Sequence, residues 1–315
     1  MIISDILGCA GSLIFALLSF LWIPFFGPFL SLLIPLPFLF YLSKLGLKEG
    51  IKVCLAALLI TGIAAKVMGE PLLILFCLEF GFLGLILSEL FKREYSYSLT
   101  IFYGTLLMLL VGAVFMLFAS IAKGVTPVDM AVTYLQTNLD AAIGMHEKEG
   151  LKPEQIDLIK KITPVLIDLI KKIYPSLLIT GTGFVVWLNV VISKPLFRIK
   201  GIRYPDLGRA DMWKAPDYLV WGLIAAGFLK LLPISVLDSV ATNALIVFAA
   251  IYVFHGLSIV LFFFNKYNVP ALARFIIYLI IALQQLSLIL LALMGLFDQW
   301  IDFRKLSRNN SQAAD

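Results

Sequence analysis

Nine stretches of the chain are apolar with little interruption: 6–25, 29–45, 51–67, 71–91, 98–122, 176–191, 218–232, 243–264 and 271–297. Each is continuous rather than alternating, and rich in Leu, Ile and Phe. A membrane-crossing helix takes roughly 20 apolar residues, whereas a transmembrane β-strand alternates polar and apolar positions over about ten. The pattern therefore predicts an all-α fold, a polytopic transmembrane helix bundle of 8–9 spans. Pro35 and Pro37 interrupt the second run, where they remove backbone donors and kink or unwind the helix. If that run does not cross, eight spans remain.

Between 123 and 172 the pattern changes. This stretch holds seven of the twenty acidic residues and seven lysines, too many for a span. Thr126-Pro127-Val128-Asp129 has the form of a helix start, with a capping hydroxyl and a proline at the first helical position. Met130, Ala131, Tyr134, Leu135 and Ala142 make its apolar stripe, and the helix ends near Gly150. Next comes a doubled segment: Ile156-Asp157-Leu158-Ile159-Lys160-Lys161-Ile162-Thr163-Pro164 returns eleven positions later with only Thr163 changed, to Tyr174. Eleven residues make about three helical turns, so both copies present one face. Asp157, Lys160, Lys161, Asp168, Lys171 and Lys172 gather on a polar arc opposite a broad isoleucine and leucine arc. Pro164 and Pro175 fall on the polar side and bend the helix away from it. This predicts an amphipathic helical insertion at the membrane surface, with Lys160, Lys161, Lys171 and Lys172 suited to water or anionic headgroups. It reads as a cap on the bundle, a lid over a cavity, or a docking helix for a partner. The chain thus divides into 1–122, a first bundle of five spans; 123–175, the surface segment; 176–306, a second transmembrane part of three to four spans; and 307–315, a small, polar, disordered tail.

Composition supports the bilayer. The chain of 315 residues is 61% hydrophobic and 14% charged, against about 45–50% and 25% in soluble domains, and its mean hydropathy is +0.99. The net charge of +5 follows from Lys and Arg after the second, fourth, sixth and, more thinly, eighth runs. By the positive-inside rule those loops and the N-terminus are cytoplasmic. Nine spans then leave Arg304, Lys305 and Arg308 outside, a conflict that eight spans remove. No aromatic-interleaved basic patch points to nucleic acid. Cys9, Cys54 and Cys77 lie inside apolar runs without metal-site spacing, and imply neither zinc nor disulfides. The N-terminus lacks the basic segment of a signal peptide. The setting expected is a bacterial inner (plasma) membrane, crossed several times.

Ionisable groups at bilayer depth are costly and mark candidate sites. Glu79, His255, Asn189 and the pair Gln284-Gln285 all fall inside apolar runs. Together they form a candidate ligand site, with Glu79 holding a cation or amine while His255 and the amides orient it. The alternative is that they hydrogen-bond between helices. Lys66 and Lys230, near span ends, are expected to snorkel. Asp298, Asp302, Arg304 and Lys305 read as ion pairs at the membrane surface. Gly8-xxx-Ser12, Gly181 and Gly183 permit close helix approach. No nucleotide, hydrolase or metalloenzyme motif is present. No catalytic residue, metal or cofactor is expected.

Several segments together resemble one bacterial family: "PLPFLFYLSKLGLKEG", "GFLGLILSELFKREYS", "WKAPDYLVW" and the ending "MGLFDQWIDFRK". These resemble the YybS-like proteins, a domain of unknown function in polytopic membrane proteins, and the likeness covers most of the chain. The first six spans are also distantly similar to the substrate-binding S components of energy-coupling-factor vitamin transporters. That resemblance implies a vitamin-like small-molecule ligand, a bundle without its own ATPase, and coupling subunits as partners. The Ala-xxx-Ala docking face of such components is absent here, where the first span carries Gly8-xxx-Ser12. The function expected is a substrate-binding or transport subunit. The alternative is a structural or assembly protein that binds other membrane proteins through its basic loop 194–214.

Overall fold

The apolar runs fold as helices. The computed structural model describes residues 2–23, 26–130, 132–133, 136–137 and 153–305, apart from the side chains at 2, 123 and 153–160. Among the described residues there is no strand. Ten α-helices appear: α1 (Ile2–Trp22), α2 (Gly27–Ser31), α3 (Pro35–Val67), α4 (Leu73–Lys92), α5 (Tyr97–Lys123), α6 (Pro153–Ile199), α7 (Leu219–Lys230), α8 (Ser235–Lys266), α9 (Ala271–Leu283) and α10 (Gln285–Ile301). Six stretches are long and apolar enough to cross a membrane, or seven if α9 and α10 count as one. The expected tail at 307–315, the stripe at Ala131, Tyr134, Leu135 and Ala142, and the helix end near Gly150 lie outside the described residues.

Four apolar runs fold differently from the plain spans expected of them. The runs 29–45 and 51–67 meet within α3 at Gly46, whose φ of 77° and ψ of 170° break the helix. Glycine alone takes this conformation without strain. The chain doubles back there, since a β-carbon at Gly50 would sit 2.8 Å from Leu42 Cα. The run 218–232 contains only the twelve-residue α7, about 18 Å long against a hydrocarbon core of about 30 Å. The run 271–297 is not one straight helix. It breaks at Gln284, whose backbone is extended, and α9 and α10 meet there at a 102° bend.

The described chain forms two compact units, Met1–Lys123 with Gly181–Gly208, and Gly124–Thr180 with Arg209–Asp315. These regroup the consecutive blocks read from the sequence, because the last part of α6 packs with the first unit. In that unit Leu13, Leu17, Ile34, Phe38 and Ala57 pack in one buried cluster, and Leu39, Leu83, Leu87, Val186 and Phe197 in another. Its basic stretches share one end. Lys44 binds Asp5 at 2.5 Å, Arg203 binds Glu94 at 2.8 Å, and Tyr97 N donates to Leu207 O. In the second unit α8 and α10 pack almost backbone to backbone. A β-carbon at Gly256 would lie 2.2 Å from Leu291 O, and one at Gly295 2.2 Å from Tyr252 O.

α6 runs on through both Pro164 and Pro175. Proline cannot donate to the helical ladder and pushes against the preceding turn. At the second proline a neighbouring side chain makes the repair. Ser176 N and Lys172 O, which pair with each other in a regular helix, both bond to Asn243 of α8. Ser176 N donates to Asn243 Oδ1 at 2.8 Å, and Asn243 Nδ2 donates to Lys172 O at 2.8 Å. At the start of the insertion, Asp129 N donates to Thr126 Oγ1 at 3.2 Å, as the capping pattern requires.

Candidate functional site

Glu79 lies about two turns into α4, on the side facing α5. A β-carbon on Gly112 would be 3.5 Å from its Oε1. The residue is half-buried and has no hydrogen bond or ion pair among the described residues. One turn further on, Phe82 stacks edge-on against Phe115 of α5. A carboxyl thus stands in a seam between two apolar helices with nothing among the described residues to balance it.

Asn189, in the same unit, is differently placed. It is fully buried, and its amide donates to Leu32 O at 2.9 Å and to Val185 O at 2.8 Å. Leu32 O has no helical donor, because Pro35 carries no N–H and Leu36 N bonds instead to Leu33 O. Asn189 therefore satisfies a carbonyl left over by the prolines, the interhelical role anticipated as the alternative.

His255 belongs to the second unit and lies in a closed polar cluster. Its ring is fully buried, with Nε2 3.0 Å from Asp298 Oδ2 and 3.0 Å from Arg304 Nη2. Arg304 Nη2 also donates to Asp298 Oδ2 at 2.9 Å. Arg304 Nη1 donates to Asp211 O, Trp213 O and Ser258 Oγ at 2.8–3.0 Å. The left-handed Asp302 (φ 45°) ends α10 and lets Phe303 N donate to Asp298 Oδ1 at 2.9 Å. Asp298 and Arg304 were read as a surface ion pair; their side chains are 1% and 0% exposed. The loop carrying Asp211 and Trp213 covers them. The arrangement is a clasp that ties the end of α10 to that loop and to α8, while His255 Nδ1 and Arg304 Nε are buried without a hydrogen-bond partner among the described residues.

Asp211 anchors the same loop. Burial pushes its carboxyl up, but hydrogen bonds from Arg209 and Asn265 outweigh burial and hold it below the usual carboxylate range. Arg209 Nη2 lies 2.8 Å and Asn265 Nδ2 3.0 Å from Asp211 Oδ2. Arg274 extends the network to Asn265 Oδ1 at 2.9 Å and Phe264 O at 3.0 Å.

The five expected site residues divide between the two units. Glu79 and Asn189 fall in the first unit; His255, Gln284 and Gln285 fall in the second. Gln284 and Gln285 are exposed at the α9–α10 break. Of the four lysines assigned to water or headgroups, Lys161 and Lys171 are exposed, and the side chain of Lys160 lies outside the described residues. Lys172 turns inward to Asp238 of α8, which also binds Lys230. Lys230 is therefore paired rather than snorkelling, and bonds Thr242 Oγ1 at 2.8 Å as well. The roles of Arg304, Asn243 and Asp211 escaped the sequence reading. The visible signals were an arginine six residues after an aspartate and an asparagine opening an apolar run. Among the described residues no group of His, Cys, Asp and Glu could hold a metal ion, and the three cysteines are free and buried.

Comparison with known proteins agrees with the membrane reading. The "Uncharacterized protein YybS" of Bacillus subtilis (strain 168) is 23% identical over 296 residues, which cover 92% of this chain and 94% of the relative. No solved structure matches. The family described as "Predicted membrane protein (DUF2232)" matches residues 11–299, nearly the whole set of helices described above, and the chain belongs to that family.

Proposed function

We propose that this membrane protein is a small-molecule-binding or transport subunit, in the inner membrane of a bacterium, with no ATPase and no catalytic activity of its own. The observation that carries the reading is Glu79. An ionisable side chain in an apolar span is retained at a cost of a few kcal/mol, and a structural role would supply a partner. Asp298 has its partners; Glu79 has none among the described residues. A bound cation or amine, on a vitamin-like compound, would balance the charge. Of the other expected site residues, Asn189 is engaged with backbone, and His255 with Asp298 and Arg304.

The rival reading, a structural protein acting through loop 194–214, has less support. Three of the six cations there are already paired within the chain, Arg203 with Glu94, Arg209 with Asp211 and Lys214 with Asp217. Native mass spectrometry of the purified protein tests the proposal. A bound cationic metabolite is expected on the unmodified chain and lost from Glu79→Gln. Retention of that metabolite by Glu79→Gln would rule Glu79 out, and a ligand-free chain cross-linked through 194–214 to one stoichiometric partner would favour the rival.

A further inference from the structure

A second feature of the first unit is independent of Glu79. A cleft of about 410 Å³ opens between α1, α3 and the end of α6. Gly8, Ser12 and Ala16 form one wall and Leu33 and Tyr41 another, with Lys200 at the mouth. Gly8 lets α3 come close through Tyr41, as expected; Gly8 and Ser12 also line this space, and Ser12 Oγ folds back on Gly8 O at 2.8 Å. From Gly8 to Ala16 the wall runs about 12 Å along α1. The lining of the cleft is apolar apart from Ser12, Tyr41 and Lys200. The mouth holds the Lys200 ammonium, which is exposed and has no acidic partner among the described residues. It also holds the Tyr41 hydroxyl, which crowds Gly8 so closely that a β-carbon there would sit 2.2 Å from it. The nearby carboxylate, Asp5, is neutralised by Lys44. The mouth lies at the basic end of the unit, beside Lys44.

We infer that this cleft holds one acyl chain of an anionic bilayer phospholipid, with the headgroup phosphate on Lys200 and Tyr41. A mostly apolar lining that carries one ammonium and one phenol hydroxyl matches an amphiphile. The unpaired lysine supplies the charge complement, and basic pockets between transmembrane helices are suited to anionic headgroups. A neutral lipid would leave Lys200 without a counterion.

The test uses the full chain in nanodiscs of equal parts phosphatidylglycerol and phosphatidylcholine, released for native mass spectrometry. One retained phosphatidylglycerol per chain is expected. Lys200→Glu should cut its retention about tenfold without moving the thermal midpoint. Ser12→Phe, at an exposed wall position, should abolish retention by filling the cleft. Equal retention of both lipids, undiminished phosphatidylglycerol on Lys200→Glu or on Ser12→Phe, or a free fatty acid in place of phospholipid would each overturn the inference. Glu79→Gln should leave the retained lipid unchanged, which separates this site from the one proposed above.

Discussion

Asp298 and Glu79 are both carboxyls set among apolar residues of helices, and they stand in opposite circumstances. Asp298 meets an imidazole, a guanidinium and a backbone N–H, all within 3.0 Å. Glu79 has no hydrogen bond or ion pair among the described residues. Both look alike in the sequence, as an acid inside a greasy run. On the proposed reading, the contrast separates a charge kept for the fold from a charge kept for a ligand.

Arg304→Ala attacks the first kind most directly and should have the largest effect. It leaves Asp298 buried without its cation, a loss of about 3–5 kcal/mol, read as a lowered unfolding midpoint in detergent. Adding Asp298→Asn should recover part of that loss, and the comparison fails if it does not. Asn243→Ala comes next. It strands Ser176 N–H and Lys172 C=O beside Pro175, which costs about 1–3 kcal/mol and should raise amide exchange around 172–176. Asp211 offers a smaller, pH-dependent test. Its carboxyl titrates below the usual range when folded, so its contribution is complete above about pH 3.9 and disappears as pH falls through the lowered value. Asp211→Asn should flatten that acid limb of the stability profile. Glu79→Gln is the smallest perturbation, within about 0.5 kcal/mol, yet it should remove the bound metabolite. A destabilisation comparable to Arg304→Ala would place Glu79 with Asp298 and end the distinction.

The helical class and the multipass character were legible because they are averages over many residues. An apolar run of twenty positions means the same thing whatever it packs against. Pairwise roles were not legible in this way. Asp298 and Arg304 sit beside a polar tail in the sequence, and only the loop at Asp211 and Trp213, some ninety residues earlier, buries them. The doubled segment has an amphipathic pattern, but Ile162, Val165, Leu166 and Leu169 of its apolar arc are exposed, and Lys172 points to Asp238 because α8 passes there. The bend at Gln284 was hidden by apolar residues on both sides, with neither proline nor glycine to mark it. Glu79 was the simplest to find, since a lone acid needs no partner to be noticed.

The two asparagine repairs also bear on the order in which the chain is made. Leu32 exposes its carbonyl 157 residues before Asn189 exists. At about 5–20 residues per second that is a wait of roughly 8–30 s. Lys172 likewise waits for an amide made 71 residues later. Neither the turn that leads into α3 nor α6 satisfies its backbone from its own residues. Each of these segments therefore enters the bilayer incomplete and is finished by a helix synthesised after it, so a nascent chain stopped before 189, or between 176 and 243, should be the form that quality-control proteases degrade first.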